Sequence, residues 1–194
     1  MLPSFLDNLR LRLHKFFSST GAMKLHHQTE PSFYYFAYGS CMCPVDLKRT
    51  LGESTHSYVV GPATLHGYRL GFYRYLSHRN CGALDMVTDP TATVEGVLYR
   101  LPQRLSAALD HREEGYRHEV ITVHCQKRHY TNVRTYVVIE KLTAEIPPND
   151  WYFHVVLRGA TTCGLPEHYC WQLFQHMYQL QQQQAERSQL PQSA

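Results

Sequence analysis

The sequence lacks the marks of several specialised protein classes. Its six cysteines, at positions 41, 43, 81, 125, 163 and 170, make no Cys-x-x-Cys pair and no zinc-ligand spacing. A chain of 194 residues is also long enough to fold without a disulfide framework. Reduced thiols in a cytoplasmic protein are expected, and no metal or other cofactor. The formal charge of +3 is spread along the chain with no run of one sign. Helix-turn-helix, RRM and zinc-finger patterns are absent too, so nucleic acid is not an expected partner. No apolar stretch approaches the roughly 20 residues that span a bilayer. The first residues lack the unbroken apolar core and small-residue cleavage site of a secretory signal.

What is present suits one core. Hydrophobic residues make up 43% of the chain and aromatic residues 12%, enough to bury a sizeable interior in a domain of this length. Thirteen histidines and fourteen tyrosines are many, yet they are dispersed. Residues 1–31 stand apart. Leu2, Phe5, Leu6, Leu9, Leu13, Phe16 and Phe17 recur at steps of three and four between Arg10, Arg12, His14 and Lys15, a short basic amphipathic helix by period. Such a helix packs on its own domain, docks on a partner or touches a membrane surface through residues 2–17. Alternatively, Met23 is the natural start. From residue 181 the chain is Gln-rich and polar, which predicts a loose tail.

Residues 32–180 read as a single domain. Short apolar strands bounded by Gly, Pro and Asn occupy 33–38, two stretches around His66-Gly67, the pair 81–88 and 93–101 around a turn at Asp89-Pro90, and then 116–126 and 133–141. Helices are expected after Pro44, over PQRLSAALDHRE, and over about 150–163 and 166–183. Without regular strand-helix alternation, this pattern predicts an α+β fold, a small mixed or antiparallel β-barrel flanked by helices.

Two segments carry chemistry. The apolar strand FYYFAYGSCMC runs into Tyr38, Gly39, Ser40, Cys41 and Met42, and a glycine-serine turn aims backbone N–H groups at one spot, a place to hold an anion. Some seventy residues later LDHREEGY ends a helix before Gly115, with Glu113 and Glu114 in tandem. A carboxylate at an element end is placed to enter a pocket while its neighbours stay in the core.

In their order, these segments resemble the γ-glutamylcyclotransferase family, including its AIG2-like members, from about Phe33 to about Leu173. The resemblance rests on YFAYGSCM, CGALDMV, VEGVLYRL, LDHREEGY, VRTYVV and RGATTCGLPEHY. It implies a small barrel with flanking helices, a small-molecule γ-glutamyl substrate, and cyclisation of the glutamyl part to 5-oxoproline with release of an amine. Its LDxxE pattern places the proton-carrying carboxyl on Glu113, or on Glu114 if counted back from the glycine. The substrate contacts it implies are Tyr38, Gly39, Ser40, Cys41 and Met42 of the turn, with Tyr116 and Tyr136 supplying a wall and hydroxyl hydrogen bonds. The chain departs from the common YGSN loop at Cys41. A thiol is not expected to reproduce an amide's donor and acceptor, so substrate choice is expected to change if that side chain touches the ligand. Two other readings stand beside this one: a cysteine nucleophile at Cys41 or Cys43 served by a histidine, and a non-catalytic module that binds a γ-glutamyl or other amino-acid metabolite or serves as an interaction module.

Overall fold

The structure is a computed structural model that describes residues 30–189. The amphipathic helix expected within residues 2–17 lies outside that range. Five strands form the frame: β1 (Ser32–Ala37), β2 (Val59–Leu76), β3 (Cys81–Pro102), β4 (Tyr116–Cys125) and β5 (Arg128–Val138). They close into a barrel in the order β1-β3-β2-β4-β5. All neighbours are antiparallel except the closing pair, where Tyr35 of β1 meets Arg134 of β5 in parallel. The expected mixed barrel with flanking helices is therefore what the chain forms, and closure removes the sheet's free edges.

The sequence divides the middle of the chain more finely than the fold does. The two stretches around His66-Gly67 are one strand, β2, interrupted by a register shift between His66 and Tyr68, where Gly67 takes a φ of 84°. The stretches on either side of Asp89-Pro90 likewise belong to the single strand β3. A bulge bends a strand without ending it, so turn residues inside a long hairpin imitate its end. The polar loop expected before residue 133 shrinks to the tight turn Gln126-Lys127, both with positive φ (48° and 64°), and β5 begins at Arg128. No Asn-Gly pair announces that turn.

Among the described residues four α-helices flank the barrel: α1 (Pro44–Leu51), α2 (Ser106–Arg112), α3 (Asp150–Thr162) and α4 (Glu167–Gln189). Pro44 occupies the first turn of α1, where its missing N–H costs nothing. Asn149 caps α3, its side chain accepting from Tyr152 N–H at 2.9 Å. The loose tail expected from residue 181 is corrected: α4 continues to Gln189. Gln, Glu and Arg are good helix formers, and the amphipathic turns packed below them nucleate the extension. Barrel interior and helix undersides form one core around Phe36, Phe72, Leu84, Tyr99 and Met177. Gly159 lets α3 approach the chain after β1, since a Cβ there would collide with the backbone at Met42 and Cys43. Among the described residues no helix is long and apolar enough to cross a membrane.

Candidate active site

The site lies where β1 leaves the barrel. After Ala37 the chain turns through Gly39 into a single 3-10 turn, Ser40–Met42. Its hydrogen bonds begin at Met42 N–H to Gly39 O (2.9 Å) and Cys43 N–H to Ser40 O (3.2 Å). The N–H groups of Ser40 and Cys41 precede those bonds, as the first donors of any helical turn do. Opposite stands the end of α2. Glu113 caps the helix, its N–H donating to Leu109 O at 3.1 Å, and Gly115, at a φ of 84°, reverses the chain into β4. A Cβ at Gly115 would run into the Arg74 guanidinium.

Between these two chain ends lies a pocket lined by Tyr35, Tyr38 and the Gly39–Cys41 turn on one side and by Arg112, Glu113, Tyr116 and Tyr136 on the other. Leu76, His78, Arg79, Ala83, Leu84, Trp151 and Tyr152 complete it. Glu113 is the sole carboxylate in that lining, with a side chain only 12% exposed. Glu114 is exposed and does not line the pocket; its carbonyl accepts from Arg74 at 2.8 Å. Of the tandem pair, the fold brings only Glu113 to the pocket.

Loss of water raises the Glu113 pKa above the ordinary carboxylate range, although a hydrogen bond from Cys41 and the charges of Arg112 and Arg74 draw it partly back. Burial likewise pushes the phenols of Tyr35, Tyr38, Tyr116 and Tyr152 upward. The walls are therefore neutral rings with protonated hydroxyls. Tyr38 donates to the Tyr136 carbonyl (2.6 Å) and Tyr116 to the Leu84 carbonyl (3.2 Å). Tyr136 donates to Asp110 (2.5 Å). Tyr116 and Tyr136 thus supply walls, but protein acceptors already occupy the hydroxyls that sequence reasoning assigned to a ligand.

Cys41 sits at the centre of the arrangement. Its Sγ–H donates to Glu113 Oε1 at 3.0 Å, and its sulfur accepts from Arg112 Nε at 2.9 Å. Its two protein neighbours ask for one donor and one acceptor, and a neutral S–H offers both. Burial pushes the Cys41 thiol up to about 12, with Arg112 opposing and Glu113 adding to the shift. A protonated thiol is a poor nucleophile, which weighs against the cysteine-nucleophile reading. Cys43 is buried at 1% exposure among apolar neighbours. Met42 also departs from expectation: it is wholly buried and absent from the pocket lining, and its carbonyl accepts from Tyr99 at 2.9 Å.

Sequence reasoning missed Arg112 and its anchor. The guanidinium donates to Asp46 Oδ2 and Thr50 Oγ1, both at 2.5 Å, and to Ser40 Oγ at 3.0 Å. Arg112 and Asp46 form a buried ion pair, their side chains 15% and 5% exposed. Burial opposes the charge on Arg112, but Cys41, Asp46 and Glu113 outweigh it and hold the cation firmly. Asp46 lies in PVDLKRTL, where it looks like an ordinary first-turn helix acid. No metal-binding cluster of His, Cys, Asp or Glu occurs among the described residues, and all six thiols are free.

A closed five-stranded mixed barrel flanked by helices is the architecture of the γ-glutamylcyclotransferase-like fold. Comparisons with known proteins agree. Residues 93–173 match the model of the AIG2-like family. The chain is 35% identical over 157 residues to "Putative gamma-glutamylcyclotransferase YkqA" of Bacillus subtilis, covering 77% of this chain and 55% of that protein. The chain thus spans little more than half of that relative's length. The crystal structure of YkqA superposes with a TM-score of 0.70 at 31% identity, covering 86% of this chain and 58% of that one. An uncharacterized human protein superposes with a TM-score of 0.67 at 25% identity, over 74% of this chain and 87% of its own. Residues 93–173 thus carry the AIG2-like pattern, and the fold of the chain is γ-glutamylcyclotransferase-like.

Proposed function

We propose that the protein cyclises a γ-glutamyl amino acid or amine to 5-oxoproline and a free amine, with Glu113 as the single proton carrier. The observation that carries this reading is the desolvated Glu113 carboxylate, 3.0 Å from the Cys41 thiol of the glycine turn. In a γ-glutamyl compound the nucleophile is already in the molecule, so the protein need not form a covalent intermediate. It must hold the ligand curled, carry protons from the attacking nitrogen to the departing one and stabilise one oxyanion.

The substrate's α-carboxylate, or the oxyanion as it forms, lies against the N–H groups of the Gly39–Cys41 turn. Glu113 takes a proton from the α-ammonium. The freed amine attacks the γ-carbonyl carbon, a tetrahedral oxyanion forms, and its collapse breaks the bond to the departing nitrogen. That nitrogen receives the proton from Glu113; the attacking nitrogen then sheds its second proton to the same carboxylate, which hands it to the released amine, so the amine departs as an ammonium, the lactam keeps one N–H and the carboxylate is restored with no net proton change. A carboxyl raised above its ordinary pKa is better matched to both steps than an exposed one. The Cys41 thiol and the Arg112 guanidinium fix its orientation, and Asp46 holds Arg112 in turn.

Incubation with γ-glutamyl dipeptides and assay for 5-oxoproline tests the reaction. Release of 5-oxoproline that Glu113→Gln abolishes supports it. Ligand binding without release would instead make the domain a metabolite-binding module.

A further inference from the structure

The mouth of the pocket holds a cation that no carboxylate among the described residues neutralises. Arg79 ends the turn Ser77–Arg79 between β2 and β3, and its guanidinium lies over the Trp151 indole, 3.7 Å from the ring centre. Its side chain donates to a neighbouring imidazole, from Nε to His78 Nε2 at 3.2 Å. Among the described residues no carboxylate pairs with it. Arg112, deeper in the same pocket, is by contrast neutralised by Asp46.

This rim is held from several directions. Asn149 donates to the Arg79 carbonyl at 2.9 Å with the same side chain that caps α3. Gly82 N–H donates to the Pro147 carbonyl at 2.9 Å, and Tyr75 donates to Asn80 Oδ1 at 2.7 Å. A guanidinium stacked on an indole has little rotamer freedom left to lose, and the edge of its fork stays open to a planar anion. The reacting end of the pocket already provides for the glutamyl half: amides for its carboxylate and Glu113 for its ammonium. The unspent cation therefore faces the other half.

We propose that Arg79, laid on Trp151, recognises a carboxylate on the departing amine, so that the preferred substrates are γ-glutamyl α-amino acids rather than γ-glutamyl alkylamines or γ-glutamyl conjugates of a lysine side chain. This rests on the cyclisation reading and adds to it the class of the leaving group. The turn amides hold one anion, the rim a second, and the scissile amide lies between them beside Glu113.

The test compares γ-glutamyl-alanine with γ-glutamyl-ethylamide, which differ only in that carboxylate, on the wild-type chain and on Arg79→Gln and Arg79→Lys. The expected wild-type preference in kcat/KM for the acid is about tenfold, the size of one charge-assisted contact. It collapses in Arg79→Gln, whereas Arg79→Lys, with the charge but not the planar stack, retains part of it. Equal turnover of the two compounds by the wild type, or a ratio that Arg79→Gln leaves unchanged, overturns the proposal while cyclisation stands. If neither compound yields 5-oxoproline, cyclisation fails, and calorimetric titration with the same pair decides the recognition separately. Acid-selective binding lost in Arg79→Gln supports it, and equal or absent binding overturns it.

Discussion

Asp110 and Glu113 lie three residues apart at the end of one helix, yet the barrel gives them opposite surroundings. Asp110 is 42% exposed and accepts from Tyr136 at 2.5 Å, with His118 at 2.7 Å and Arg134 at 3.5 Å. Burial would raise its pKa, but hydrogen bonds from Tyr136 and His118 outweigh that and hold the carboxyl below its usual range. Glu113 faces inward to a thiol, neutral phenols and an arginine already neutralised by Asp46, and desolvation wins. Both carboxylates are bound; they differ in how many charged or strongly polar donors replace the lost water. Tyr136 separates the two worlds, its ring lining the pocket and its hydroxyl spent outside on Asp110.

The contrast breaks hardest at Glu113 itself. Glu113→Gln is expected to lose on the order of 10²–10⁴ in rate of 5-oxoproline release, the usual worth of a positioned acid-base group. The exposed neighbour changed in the same way, Glu114→Gln, should leave the rate nearly intact, and a reversed result would move the role to Glu114. The same Glu113→Gln protein should melt at a higher temperature than wild type at neutral pH. Because the folded-state pKa of Glu113 is raised, its contribution to stability is complete below the unfolded pKa and is lost as pH rises through the folded value. The difference in melting temperature should shrink on acidification.

Arg112→Met tests what keeps the inner side inner. Removing the guanidinium strands Asp46 in the core, and breaking a buried ion pair from one side costs about 3–5 kcal/mol. Urea denaturation should show this as a lower midpoint. A smaller change is expected from Cys41→Ala, which deletes the hydrogen bond that lowers the Glu113 pKa. The acid limb of the kcat/KM profile should move to higher pH, and an unmoved limb would remove the thiol from the arrangement. Asp110→Asn sharpens the outer side. Its exposed contacts contribute at most about 1 kcal/mol at neutral pH. Since the folded pKa of Asp110 is depressed, that contribution is present above the unfolded pKa and lost as pH falls through the folded value.

Fold and site were legible to different depths. Strand period, helix period and Gly/Pro punctuation pointed to a barrel with flanking helices because those signals are local. They misread β2 and β3 as broken, since a bulge and a turn use the same residues. They also ended the last helix early, because polar composition resembles a tail until packing extends it. At the site, the YGS turn and the tandem glutamates were visible as motifs. Asp46 and Arg112 were not, because their pairing spans 66 residues and Arg112 falls on an unspecified position of LDxxE. Nor were Arg79 and Trp151, which belong to different segments and meet only once Asn149 ties the β2–β3 turn to the start of α3.

By itself the order of residues determined which chemical groups this protein has to offer: a glycine turn with free amides, two candidate carboxylates, aromatic walls and thiols. Only the folded barrel decided which carboxylate loses its water, which phenols stay committed to protein acceptors and which arginine meets no carboxylate among the described residues. Propensity and period act between neighbours along the chain. Desolvation and charge pairing depend on which distant segments meet, and that is set when the strands close.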